Sequence, residues 1–172
     1  MKILKNNIIK LLFGLLIFAS FTSCDEGGNP DAGGTTTEAY AGDWFITITD
    51  AAGKVQVDHA LHATYNTAAN DNTMWVDDWT DKPKNKPVGW YLMSKITVNL
   101  ENGTFSAPSQ ANLNDPGSTV TITDGKFEKG AGLSKSGKAV DKISFKATFS
   151  YAPSDVLTFT GVKRTGFLED EY

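Results

Sequence analysis

The residues best able to do chemistry are two histidines, His59 and His62, which stand three positions apart in a 172-residue chain that holds no other imidazole. The surrounding residues alternate apolar and polar, and on a strand an odd spacing sends side chains to opposite faces. The pair is therefore not expected to chelate one ion. His59 falls with Val55, Val57, Leu61 and Tyr65 on the apolar face and is expected as a hydrogen-bonded interior histidine, with a ligand contact or a general base as the alternatives. His62 is expected in solvent. Asp77 and Asp78, being adjacent, also diverge, which argues against a two-carboxylate acid and base pair. Asn70, Asp71 and Asp77 lack the spacing of a calcium loop. Gly132 to Lys138 fits G-x-x-x-x-G-K, but Ala139 replaces the magnesium-binding hydroxyl and a strand pattern follows, so the segment reads as a hairpin loop. No G-x-S-x-G elbow occurs. The sequence thus assigns no catalytic residue, no metal site and no cofactor.

The elements that must position these residues are strands. From Ala39 onward period-two alternation is broken by turn residues every ten to twenty positions, and no stretch has helical period. Trp44, Ile46 and Ile48 mark the first strand and Val55 to Tyr65 the second. Thr73 to Trp79 is the third, and Asp81 to Pro87, rich in proline and lysine, is not a strand. Trp90, Leu92, Ile96, Val98 and Leu100 line the fourth, closed by Asn102-Gly103, which suits a type I′ hairpin turn. A short fifth strand starts at Phe105, with Ser106 to Gly117 a polar loop. Val120 and Ile122 lie on a sixth that Asp124-Gly125 turns or bulges toward Phe127, and Gly130 to Lys138 is loop. Ile143, Phe145, Ala147, Phe149 and Tyr151 share one face of a seventh, and Leu157 to Arg164 is the eighth. Eight antiparallel strands with mostly short connections predict an all-β, up-and-down barrel, a count that can enclose one small ligand. A two-sheet sandwich is the alternative. Inward aromatics on these strands either fill the core or line a pocket; Trp75, Trp90, Phe145 and Phe149, with His59, are the candidate ligand contacts.

The chain ahead of the strands differs in kind. Lys2, Lys5 and Lys10 precede an apolar run from Leu11 to Phe21 that is of signal-peptide length and short for a membrane span. Net charge is −4, and removing the leader's three lysines takes the remainder to −7. Such a surface offers phosphate no basic field, so nucleic acid is not an expected partner. The single cysteine, Cys24, excludes an internal disulfide. Asp25 to Glu38 holds no large apolar residue and four glycines. It reads as a flexible tether with an r.m.s. reach of about 20 Å.

Phe21-Thr22-Ser23-Cys24 resembles a bacterial lipoprotein signal, which implies cleavage after residue 23 and a lipid-modified Cys24. Three parts result: a signal peptide (1–23), a lipidated tether (24–38) and a β-barrel domain (39–172). Asp25-Glu26 resembles the surface-export signals of Bacteroides-type lipoproteins. Gly42-Asp43-Trp44 and the late Arg164 resemble the calycin pattern of lipocalins and their relatives, in which an arginine packs over the first-strand indole and closes the barrel. More specifically, GDWFITI, TYNTAAND (Thr64 to Asp71), MWVDDW (Met74 to Trp79) and GVKRTGFLEDEY (Gly161 to Tyr172) resemble Bacteroides lipoproteins of the lipid-binding putative hydrolase family. That resemblance implies a calycin-like barrel and a lipid ligand, and its hydrolase part brings no motif that maps onto these residues.

The reading that joins these observations is a lipoprotein of the cell envelope, anchored to the outer membrane by lipid on its periplasmic side or at the cell surface, that binds a hydrophobic small molecule without catalysis. A filled barrel serving a partner protein or a glycan is the alternative, and a lipid-ester hydrolase the third.

Overall fold

Alternation in the sequence becomes eight strands in the computed structural model, which describes residues 34–79 and 90–172. Cys24, the leader and the segment Asp81 to Pro87 lie outside the described residues. The strands are β1 (Gly42–Thr49), β2 (Val55–Asn66), β3 (Thr73–Asp77), β4 (Met93–Val98), β5 (Thr104–Ala111), β6 (Thr119–Leu133), β7 (Ala139–Phe149) and β8 (Ala152–Lys163). Each pairs antiparallel with the next, and β1 pairs with β8 from Trp44↔Lys163 to Thr49↔Thr158, so the sheet closes in the order β1 to β8. The up-and-down barrel is therefore observed and the sandwich is not.

Period two decides what fills it. Trp44, Ile46 and Ile48 enter from β1, Met74 and Val76 from β3, Ile96 and Val98 from β4, and Ile143, Phe145, Ala147 and Phe149 from β7; all are buried. Phe145 stacks on Phe159 at 4.5 Å between ring centroids, and Phe105 leans on both Phe127 and Phe145. Where two strands crowd, glycine makes the room. A Cβ on Gly161 would lie 2.5 Å from the Phe45 carbonyl oxygen and from Ile46 Cγ1, and one on Gly125 would lie 2.4 Å from the Phe105 carbonyl oxygen.

Three expectations about strand ends change. The fifth strand runs to Ala111, not to Phe105 alone: Ser106–Ala111 is polar and contains Pro108, yet it pairs with β6 through two irregularities, Ser109 adopting φ 47°. Asp124 (φ 54°) bulges the sixth strand rather than turning it, and the strand continues to Leu133, leaving only Ser134–Lys138 as turn. The β4–β5 hairpin is not type I′. Only Gly103 of the Asn-Gly pair has positive φ (71°), and the Gly103 amide donates to the Asn99 carbonyl, one residue wider than a two-residue turn.

The two rims differ. At the Trp44 end the chain enters: the Thr36 hydroxyl donates to the Asn70 carbonyl, Thr37 is buried, and Glu38–Tyr40 forms a 3-10 turn whose Tyr40 ring meets Phe127 at 5.2 Å. Thr35–Tyr172 is one compact unit, so the last residues read as tether belong to the folded body. The β1–β2, β5–β6 and β7–β8 connections and the Trp79 and Trp90 strand ends form the opposite rim, the Trp90 end.

Gly161 tests this packing. Gly161→Ala is expected to destabilise the barrel by about 1–3 kcal/mol, since the added methyl meets backbone rather than a yielding side-chain tip. The check is the urea midpoint at unchanged m-value, against Gly53→Ala, whose added Cβ meets nothing within 4 Å but whose φ of +80° supplies a backbone-only penalty for comparison.

Candidate functional site

A bulge in β2 decides which histidine faces inward. His59 adopts φ 50°, and the β1–β2 register slips there, from Ile46↔Ala60 to Ile48↔Val57. An extra residue shifts the alternation by one. Val57 faces in, but beyond the bulge Ala60, His62 and Thr64 do so, all buried. His59, expected inside, lies on the outer face, with Nδ1 2.7 Å from Asp58 Oδ1 and its ring stacked on Tyr172 at 3.9 Å. His62, expected in solvent, has no exposed surface.

His62 Nδ1 lies 3.0 Å from the Ala60 carbonyl, which only accepts, so Nδ1 carries the proton and Nε2 is left as an acceptor. Nε2 is buried and has no hydrogen-bond partner. Burial pushes the imidazole below its ordinary value, with Asp78 and Asp77 acting weakly in the other sense. The ring meets the edge of Phe159 at 6.0 Å.

Asp78 is the inward member of the aspartate pair, fully buried at the Trp90 end. The Leu92 amide donates to its Oδ2 (2.7 Å) and Asn114 Nδ2 to its Oδ1 (3.1 Å). Asp77 is shared with Tyr65, whose hydroxyl donates to Oδ2 (3.1 Å), and with the Trp79 amide, which donates to Oδ1 (2.8 Å). Burial first, and then Asp77, push the Tyr65 phenol up to about 12. Beside this cluster opens a hollow of about 560 Å³ lined by Trp90, Tyr91, Asp115 and Tyr151. The Tyr151 hydroxyl donates to the Trp90 carbonyl (2.9 Å), its ring stacks on Phe149 (5.2 Å), and burial followed by the nearby Asp115 and Asp78 raises its pKa. An aromatic collar therefore stands over a buried polar cluster.

The other expected contacts divide. Phe145 and Phe149 are inward and packed in the core, and Trp90 packs against the core from the rim. Trp75 faces outward, because Met74 and Val76 take the inward positions, and Lys95 Nζ lies 5.5 Å from its ring. The closing pair is also rearranged. Lys163, not Arg164, stands over Trp44, with Nζ 5.8 Å from the ring. Lys163 is the residue paired with Trp44 across β1 and β8, and cross-strand partners share a face. Arg164 lies one position on and bonds Glu171 Oε1 through Nε (2.7 Å), with Nη1 3.6 Å from Asp43 Oδ2. Trp44 Nε1 donates to the Thr64 hydroxyl (2.9 Å), which donates to the Tyr40 carbonyl (2.7 Å).

A family model described as lipid-binding putative hydrolase matches residues 29–168. The chain belongs to that family. No curated protein matches it. The family's barrel thus carries, in this member, one rim whose described walls are aromatic and an opposite rim at which the Trp44 ring is buried. The buried Ser94 hydroxyl donates to the Ala111 carbonyl (3.0 Å), and among the described residues no hydroxyl bonds to His62. The inward histidine and aspartate and the tyrosine collar escaped the sequence reading. One signal was present: the buried polar positions 62, 64 and 78 follow the alternation once position 59 is counted as a bulge.

A histidine held neutral by burial makes stability pH-dependent. The unfolded chain takes up a proton near pH 6.5 that the folded chain refuses. Stability is therefore expected to hold above that value and to fall as pH drops below it toward the depressed folded value. Urea unfolding between pH 5 and 8 checks this; in His62→Leu the decline in that window should be much reduced, and an unchanged slope would assign it elsewhere.

Proposed function

We propose that the protein is a lipid-anchored lipoprotein of the cell envelope that binds a hydrophobic small molecule, a lipid or fatty acid, at the Trp90 end of its barrel and does so without catalysis. The observation that carries this reading is the 560 Å³ hollow walled by Trp90, Tyr91 and Tyr151. Membership of a family described as lipid-binding supports the ligand class. Phe145, stacked on Phe159, and Phe149, stacked on Tyr151, are buried in the interior. An acyl chain therefore lies against the aromatic collar, above the packed interior. Tyrosine and tryptophan suit such a rim, since each offers an apolar face and a polar tip.

Tryptophan emission is expected to change saturably on titration with single-chain lipids. Each added methylene gains about 0.8 kcal/mol, near fourfold in affinity, until the hollow is full. Tyr151→Ser, which removes a wall and the bond to Trp90, should weaken binding at least tenfold, and ester analogues should remain intact. Absence of any saturable signal would favour the second reading, a module for a partner protein or glycan, which the packed interior supports. Ester cleavage lost in His62→Gln would favour a hydrolase.

Anchoring rests on Cys24 and the apolar run before it, and its test is separate. Labelling with a fatty-acid analogue in the native host should mark the wild type and leave Cys24→Ala unmarked; equal labelling of both would remove the anchor from the proposal.

A further inference from the structure

The most exposed large apolar side chains among the described residues are Leu168 (87%), Leu133 (66%) and Phe167 (64%); Phe167 and Leu168 are neighbours in the tail that follows β8 at the Trp44 end, whereas Leu133 lines a groove on the outer wall with His59 and Tyr172. Phe167 and Leu168 sit on a turn that is far from loose. The Thr165 hydroxyl donates to Asp170 Oδ2 (2.7 Å) and the Ser136 amide to Asp170 Oδ1 (2.7 Å). Lys135 Nζ donates to the Glu171 carbonyl (2.6 Å), and Arg164 binds the Glu171 carboxylate. Hydrogen bonds from Thr165 first, then from Ser136 and Ser134, draw the Asp170 carboxyl down to about 2. Two anchor residues thus clasp the turn to the β6–β7 hairpin, whose last strand residue is Leu133, while the side chains of Phe167 and Leu168 are held out. Water gives such an arrangement no reward, because burying a large apolar side chain is favourable and this turn is bonded in a way that prevents it.

The course of the chain says what covers them. Thr35 and Thr36 join the barrel at this same rim, beside Asn70. Ten residues, 25–34, separate Thr35 from Cys24. A glycine-rich linker of that length has an r.m.s. span of about 17 Å. A lipid on Cys24 would therefore hold the Trp44 end, and not the Trp90 end, next to the bilayer. We infer that Phe167 and Leu168 form a tip that inserts into the interfacial layer of that lipid bilayer. This inference rests on the anchored reading above. Aromatic and leucine side chains on a short, polar-framed projection suit shallow insertion, and a second contact beside a lipid anchor strengthens attachment and fixes orientation.

Depth-dependent quenching of the lipidated full chain tests it, in vesicles of phosphatidylethanolamine and phosphatidylglycerol. An environment-sensitive fluorophore is placed at Leu168→Cys or, as a control, at Leu113→Cys, a half-exposed leucine of the β5–β6 connection at the other rim. Label at 168 should shift to the blue and lose emission when nitroxide lipid is included, label at 113 should do neither, and Phe167→Glu should return the 168 signal to its value in water. Protein that floats with the vesicles yet is quenched at neither position overturns the tip and leaves the anchor standing. Protein that does not float overturns both. A blue shift at 168 without nitroxide quenching means that protein, a partner or a second copy, covers these residues, and it overturns the membrane assignment.

Discussion

Closure of β1 on β8 is the constraint from which the rest of this structure follows. Once the two strands pair, the sheet has no free edge, and every inward side chain has to share one interior of fixed girth. Large residues are then admitted only where a neighbour yields. Ile46 fits because residue 161 opposite it is glycine, and Phe105 fits because residue 125 is. The phenylalanines pack on one another across the barrel, and that packing moves ligand-sized space to the rim. None of Phe145, Phe149 or Phe159 borders the 560 Å³ hollow at the Trp90 end.

Most of this architecture was legible because alternation and turn residues are local signals. Eight strands, their antiparallel order and the inward run Ile143, Phe145, Ala147 and Phe149 can all be read from spacing alone. What was not legible is the backbone at single positions. His59, Ser109 and Asp124 adopt positive φ without being glycine, and each sits at an irregularity in its ladder. Nothing about a histidine announces a bulge. One at position 59 nonetheless reverses the faces of the residues after it, exchanges the roles of the two histidines and turns the Tyr65 ring outward. Trp75 was misplaced for a different reason. Its strand is apolar on both faces, so composition does not say which side the core takes. The exchange of Arg164 for Lys163 over Trp44 is a shift of one residue in a strand end, and only the β1–β8 register resolves it.

The buried polar groups carry more information than the apolar ones. Thr64 is bonded on both sides, by the Trp44 indole and to the Tyr40 carbonyl, and so ties the entering chain to the barrel floor. His62 is bonded on one side only. An acceptor left bare in a core costs about 1–3 kcal/mol, and a leucine or methionine of similar size would avoid that cost. Asp78, the residue after the Ala63↔Asp77 pair and so level with His62, is by contrast met by Leu92 and Asn114.

The two rims divide the labour of the molecule. At the Trp44 end a 3-10 turn, the Trp44 ring beneath Lys163 and the clasped tail close the barrel, and Phe167 and Leu168 remain outside. At the Trp90 end the described walls are aromatic. A chain that enters at the Trp44 end and is held there by lipid leaves the Trp90 end facing away from that bilayer. The ligand would then be exchanged with the aqueous side or with another protein or membrane, rather than drawn directly from the leaflet to which the protein is attached.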